Sequence, residues 1–210
     1  PIEAQELPIV TVGVLIDGES ERIGYLFELL KNDIEALTKN EFDLRIPEEK
    51  IETADWTRVG VEIGIGRLLG DREVDLVLAI GAIAADVASN RGVFPKPLIT
   101  PLAIDANVQG FPFDPATGGS GVSNFTYANI LAPTDRDIRT FLEIHPFSNL
   151  AVIVQPALAE AMPTLPESVL AQLEELNVEV TLVPARSTPE ATVAAIPSEI
   201  EAVYVLPLMR

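Results

Sequence analysis

Apolar residues along this chain follow two alternating patterns: short unbroken runs, and longer stretches with an apolar residue every three or four positions. The runs are PIVTVGVLI at 8–16, FDLRI at 42–46, VDLVLAI at 74–80, KPLITPLAI at 96–104, NLAVIVQ at 149–155, VEVTLV at 178–183 and AVYVLPL at 202–208. Most lack strict polar alternation, which predicts strands covered on both faces, as in parallel sheets. The periodic stretches predict helices. Ile23, Leu26, Phe27, Leu30, Ile34 and Leu37 form one apolar stripe. Asp55 is placed to cap a second helix carrying Val59, Ile63 and Arg67, and a shorter helix follows Gly81. Ile138, Phe141 and Leu142 stand behind Thr134 or Asp135 as cap, and Val169, Leu170, Leu173 and Leu176 follow Pro166, which suits a first helical turn. Ser187 and Glu190 have capping-box spacing around Pro189.

Strands alternating with helices predict an α/β chain with parallel sheets and right-handed crossovers. Residues 105–134 interrupt the alternation with a stretch rich in Gly, Pro, Asn and Ser, longer than the usual crossover loop. It reads as the passage between two lobes, with the boundary at 1–128 and 129–210. The two halves each run strand, helix, strand, helix, strand, which suggests an internal structural repeat. The second half ends after its third strand, within a few residues of an apolar run, so the expectation is a second lobe truncated at its C-terminus.

Charge narrows the partners. Fourteen basic residues face 32 acidic ones, a net charge of -18, and that negative field disfavours nucleic acid or an anionic membrane surface. The absence of cysteine leaves no disulfide, thiolate nucleophile or cysteine–metal site. No apolar run approaches the roughly 20 residues that span a bilayer, so direct membrane insertion is not expected. PIEAQELP lacks a basic start and an apolar core, which fits a mature form whose signal peptide has been removed.

Candidate chemistry is sparse. Gly64–Gly70, GIGRLLG, has a dinucleotide-like glycine pattern, but it lies within a helix and precedes a strand, whereas a phosphate-binding turn follows one; close helix-on-sheet packing is the plainer reading. The turn DGESER after the first strand has the position of an anion site, yet Asp17, Glu19 and Glu21 set three carboxylates against Arg22. It serves either as a helix cap alone, with Ser20 capping, or as a cap that also touches an uncharged or amine-bearing ligand. His145, the single histidine, has no catalytic partner motif and suits a helix end. Asp105, Asn107 and Asp114 match no calcium loop and read as turn formers, and Trp56 reads as a packing residue in a first helical turn. No catalytic residue, metal ligand or cofactor emerges.

Taken in order, VGVLIDG, VDLVLAIGAIAADVA, KPLITPLAID, GGSGVSNFTY, RTFLEIHPFSNLAVIVQPAL and AVYVLPLMR resemble the substrate-binding proteins of ABC transporters with the type I periplasmic binding fold, in the branch related to tryptophan and tyrosine binders. The resemblance spans nearly the whole chain. It implies two Rossmann-like parallel-sheet lobes hinged around a small-molecule ligand, a non-enzymatic role, a periplasmic or lipid-anchored location, and an inner-membrane permease or efflux assembly as partner. Carried over by position, the ligand contacts are Asp17, Gly18, Glu19, Ser20, Gly81 and Ala82 in the first lobe, Asn124 and Phe125 near the hinge, and Gln155, Pro156 and Pro207 in the second. The loop GAIAAD lacks the Ser or Thr hydroxyl that relatives use there for a ligand carboxylate, which puts amino-acid binding in question. A sensor module of the same fold, or a nucleotide- or flavin-dependent α/β enzyme, are the alternative functions.

Overall fold

The computed structural model describes residues 6–129 and 134–206, with backbone alone at 134 and 135. The chain divides into two compact units, one formed by Pro1–Ala103 and Pro112–Ala128, the other by Ile104–Phe111 and Asn129–Arg210. Segment Ile104–Phe111 belongs with the later unit, a departure from the single cut expected after residue 128. Its reason is packing: Val108 lies in the core of the later unit, with Ile138, Leu150 and Leu173.

In the first unit the elements run β1 (Ile9–Ile16), α1 (Glu21–Thr38), β2 (Asp43–Arg45), a 3-10 turn (Glu48–Lys50), β3 (Ile51–Thr53), α2 (Arg58–Gly70), β4 (Leu76–Ile80), α3 (Ala82–Ser89), β5 (Leu98–Ala103) and β6 (Phe125–Asn129). The strand order is β2-β1-β4-β5-β6, and β3 also pairs with β1. β1 is central: Val12, Val14 and Leu15 are buried and it pairs in parallel with β4 from Val12 to Ile16. Its other edge is shared, Ile9–Thr11 by β2 and Val14–Ile16 by β3. β3 was not among the predicted strands, because IET has no apolar run of its own and is extended through its ladder with β1. Lys50, at the turn between β2 and β3, ties this edge to Asp71 and Glu73 at 2.8 and 2.7 Å.

The predicted helices form, but α2 buries a different face from the one expected: Val59 and Ile63 are exposed, while Val61, Ile65, Leu68 and Leu69 pack inward. α1 buries Ile23 and Phe27 but leaves Leu26 and Leu37 exposed. Ser20 sits at its N-cap position without a side-chain capping bond. α2 is capped by Thr57, whose Oγ1 accepts from Gly60 N at 3.0 Å, and not by Asp55. Asp55 acts one step back, its Oδ1 accepting from Thr57 Oγ1 at 2.6 Å. A Cβ on Gly64 would fall 2.5 Å from Leu15 Cδ1, so this glycine does allow α2 to lie close on the sheet.

The second unit runs α4 (Thr134–Ile144), β7 (Asn149–Val154), α5 (Pro156–Ala161), α6 (Thr164–Glu174), β8 (Glu179–Pro184), α7 (Pro189–Val193) and β9 (Ala202–Val205), with a parallel sheet in the order β8-β7-β9. β7 is buried on both faces: Leu150 and Val152 join the α4–α6 core, while Ala151 and Ile153 join Val183. α6 starts two residues before Pro166, and α7 is capped by Thr188, which accepts from Ala191 N at 3.2 Å, in place of Ser187. α5 was not predicted, since six residues cannot show a helical period.

The burial pattern separates two leucine-sized side chains sharply. Ile65→Ala, at a fully buried position, is expected to lower stability by about 2–5 kcal/mol in urea unfolding. Leu37→Ala, at a position 81% exposed, should stay within about 0.5 kcal/mol of the parent.

Candidate functional site

In open parallel sheets the ligand side is the carboxyl end of the strands, where the chain leaves β1, β3 and β4 in the first unit. Three backbone bonds gather these exits. Asp17 N donates to Ile80 O at 3.2 Å, Trp56 N to Asp17 O at 2.8 Å, and Ala54 N to Ile16 O at 2.8 Å. The Asp17 side chain then turns inward. It is fully buried, and its Oδ2 accepts from Ile83 N at 2.8 Å while Oδ1 accepts from Ala84 N at 2.7 Å. Those are first-turn amides of α3, which have no partner inside the helix. A carboxylate from β1 thus caps a helix some 66 residues further along the chain.

The surroundings fit around that carboxylate. Gly81 has φ of 136°, and a Cβ there would fall 2.2 Å from the Asp17 carboxyl carbon, so glycine is required both by backbone and by space. A Cβ on Gly18 would meet the Trp56 indole at 2.2 Å, which places that ring against the Gly18 backbone. Trp56 is buried and holds φ of 65° in the turn before α2, a departure from the first-turn position expected for it. Burial pushes the Asp17 carboxyl up to about 7, against the pull of the Ile83 and Ala84 amides. Beside it in α3, buried Asp86 pairs with Arg58 Nη1 at 2.7 Å; burial raises its pKa and the guanidinium pulls it back.

The predicted contacts fall in different settings. Glu19 is exposed and Ser20 half-buried, so DGES offers these two side chains outward while Asp17 and Gly18 are interior. Gly81 and Ala82 are buried at the start of α3. Asn124 has φ of 61° and donates through Nδ2 to Phe94 O at 3.0 Å; Phe125 is buried, its ring stacked on Phe94 with centroids 5.1 Å apart. Pro207 lies outside the described residues. Asp105 and Asp114 are turn formers: Asp105 Oδ1 accepts from Asn107 N and Val108 N, and Asp114 Oδ1 accepts from Ala116 N. Sequence reasoning missed Asp86 and the placement of Trp56. The signal for Asp86 was available: it is the one charge in the otherwise apolar helix AIAADVAS.

In the second unit, buried Gln155 and exposed Pro156 stand where β7 ends and α5 begins. Behind them is an apolar cavity of about 40 Å³, walled by Val152 and Val154 of β7, Leu158 of α5, Val169 of α6 and Leu182 of β8. Gln155 and Asp105 supply its polar side chains. That volume exceeds what one water needs and suits a small aliphatic group.

Two outcomes follow from the first unit's strand ends. Gly81→Ala should cost roughly 2–4 kcal/mol in urea unfolding, because the new methyl meets the Asp17 carboxylate in a backbone conformation that penalises any Cβ. Asp17 titrates near 7 when folded and near 3.8 when unfolded, so between these values the folded state binds the extra proton. The melting temperature should therefore rise as pH is lowered from neutrality toward the unfolded pKa, and Asp17→Asn should flatten that rise in a series of thermal melts; an unchanged slope would contradict it.

No protein-family model and no curated protein matches the sequence. Among solved structures, the ABC domain in complex with L-Trp from Streptococcus pneumonia is 18% identical with a TM-score of 0.65, covering 94% of this chain and 65% of its own. A conserved domain protein from Vibrio cholerae O1 biovar El Tor is 17% identical with a TM-score of 0.58, covering 86% of this chain and 58% of its own. The ligand-free, open structure of a substrate binding protein with adhesive properties from Clostridium difficile is 16% identical with a TM-score of 0.51, covering 93% and 65%. This chain thus spans less than two thirds of the length of each. Among the described residues no helix is long and apolar enough to cross a membrane. Two parallel α/β sheets in this order have the architecture of the type I periplasmic binding fold.

Proposed function

We propose that this chain is the ligand-binding part of a solute-binding protein that serves an ABC-type transport or efflux-associated system. The observation that carries this reading is the apolar cavity at the carboxyl end of β7, with Gln155 beside it and no acid–base pair on its walls. Such a lining recognises a molecule by burying an apolar group and orienting it through a few polar ones, here Gln155 and Asp105. It lies toward the carboxyl ends of β7 and β8, the side of open parallel sheets on which ligands bind. The likeness in fold to the L-Trp complex and to the clostridial substrate binding protein supports the same reading.

In this proposal the ligand is a small molecule with an aliphatic or aromatic part. Its contacts are Gln155, Pro156 and Pro207 in the second unit, and Gly18, Glu19, Ser20, Gly81, Ala82, Asn124 and Phe125 in the first, with Asp17 acting from the interior. A permease or efflux assembly is the membrane partner, and the protein works in the periplasm, free or lipid-anchored.

Isothermal calorimetry against aromatic and aliphatic amino acids, their amides and amines, nucleosides and sugars tests it, and a complete lack of binding across the panel would sink the reading. Once a ligand is found, Ala159→Val, which adds two methyl groups on the wall of the cavity of about 40 Å³, is expected to weaken it at least tenfold. Glu19→Ala should change affinity with the melting temperature unaltered, since Glu19 is exposed.

A further inference from the structure

We propose that Asp17 sets the ligand class of the first unit: it occupies the amides that open α3 with the chain's own carboxylate, and the ligand presents no acid group there. This rests on the binding reading above and narrows it. Free amides at the start of a helix that follows a parallel strand attract an external anion. Here both carboxyl oxygens of Asp17 already accept from Ile83 N and Ala84 N, at 2.8 and 2.7 Å.

The position is closed as well as filled. Asp17 is 0% exposed, Gly81 lies so near that a Cβ would fall 2.2 Å from the carboxylate, and the Trp56 ring covers Gly18 at the turn. An arriving acid would have to displace a carboxylate held by β1 itself, or set a second negative charge beside it, in a chain of net charge -18. The nearby cation Arg58 is engaged with Asp86 at 2.7 Å and Glu62 at 3.1 Å. What the turn leaves to solvent is Glu19, with Ser20 half-buried beside it. Acceptors of that kind suit an ammonium, hydroxyl or amide on the ligand, so the class assigned is a neutral or amine-bearing small molecule at this end.

The experiment reads the backbone amide signals of Ile83 and Ala84 in the ¹⁵N-labelled protein during titration with sodium formate, at a pH above the Asp17 titration. In the parent protein these signals should stay in place; a saturable shift would overturn the proposal. In Asp17→Ala the vacated amides should take formate, shifting both signals and raising the melting temperature on the order of 2–4 °C over an equal concentration of chloride. Asp17→Asn, which refills the space, should show no such rise. Asp17→Ser serves in the same way if the alanine variant does not fold, and a folded small-residue variant indifferent to formate overturns the assignment. These arms use formate alone. A protein that binds nothing in the calorimetric panel therefore removes the binding reading without touching the occupation of the amides, and a panel acid that shifts Ile83 and Ala84 in the parent protein removes this inference while leaving binding intact.

Discussion

The buried carboxylate of Asp17 is the constraint around which the first unit is arranged. A carboxyl group out of water is costly unless donors replace its hydration, and the amides of Ile83 and Ala84 are donors a helix start cannot use internally. Each side thus offsets part of the other's deficit, burial still raising the Asp17 carboxyl to about 7, and the pairing demands that β1 and β4 be neighbours in parallel with their ends level. Gly81 is then glycine because of the carboxylate, and Gly18 because of the ring that covers the turn.

In the second unit the helix that follows the central strand, α5, starts without a side-chain cap at Gln155. The centre of this unit is the apolar strand β7, buried on both faces, and its strand ends open on an apolar cavity in place of a capped helix. The two units share a topology of parallel strands with helical crossovers, yet one presents polar groups on a rigid turn and the other an apolar hollow.

Much of the fold was legible in the chain because burial on both faces leaves unbroken apolar runs, and helices leave a stripe. β1, β4, β7 and the helices α1 and α6 are recognisable for that reason. β3 and α5 were not, since each is too short to carry a pattern and is held by neighbours distant in sequence. Helix starts misled by one or two residues: Asp55 and Ser187 are as good as caps as Thr57 and Thr188 by residue type, and only the local turn decides between them. The strand-end turns could be placed, but not the direction of their side chains. An Asp after a strand reads the same whether it faces solvent or, as Asp17 does, a helix some 66 residues away.

The ring over Gly18 belongs to the only tryptophan in the chain. Its near-ultraviolet emission therefore originates from a single place, the turn between β3 and α2, where Trp56 N donates to Asp17 O at the end of β1. Intrinsic fluorescence is a built-in reporter of the first unit alone. A change in it dates events at the strand ends of that unit, whereas melting of the second unit, whose aromatic side chains are phenylalanine and tyrosine, passes largely unseen at tryptophan wavelengths.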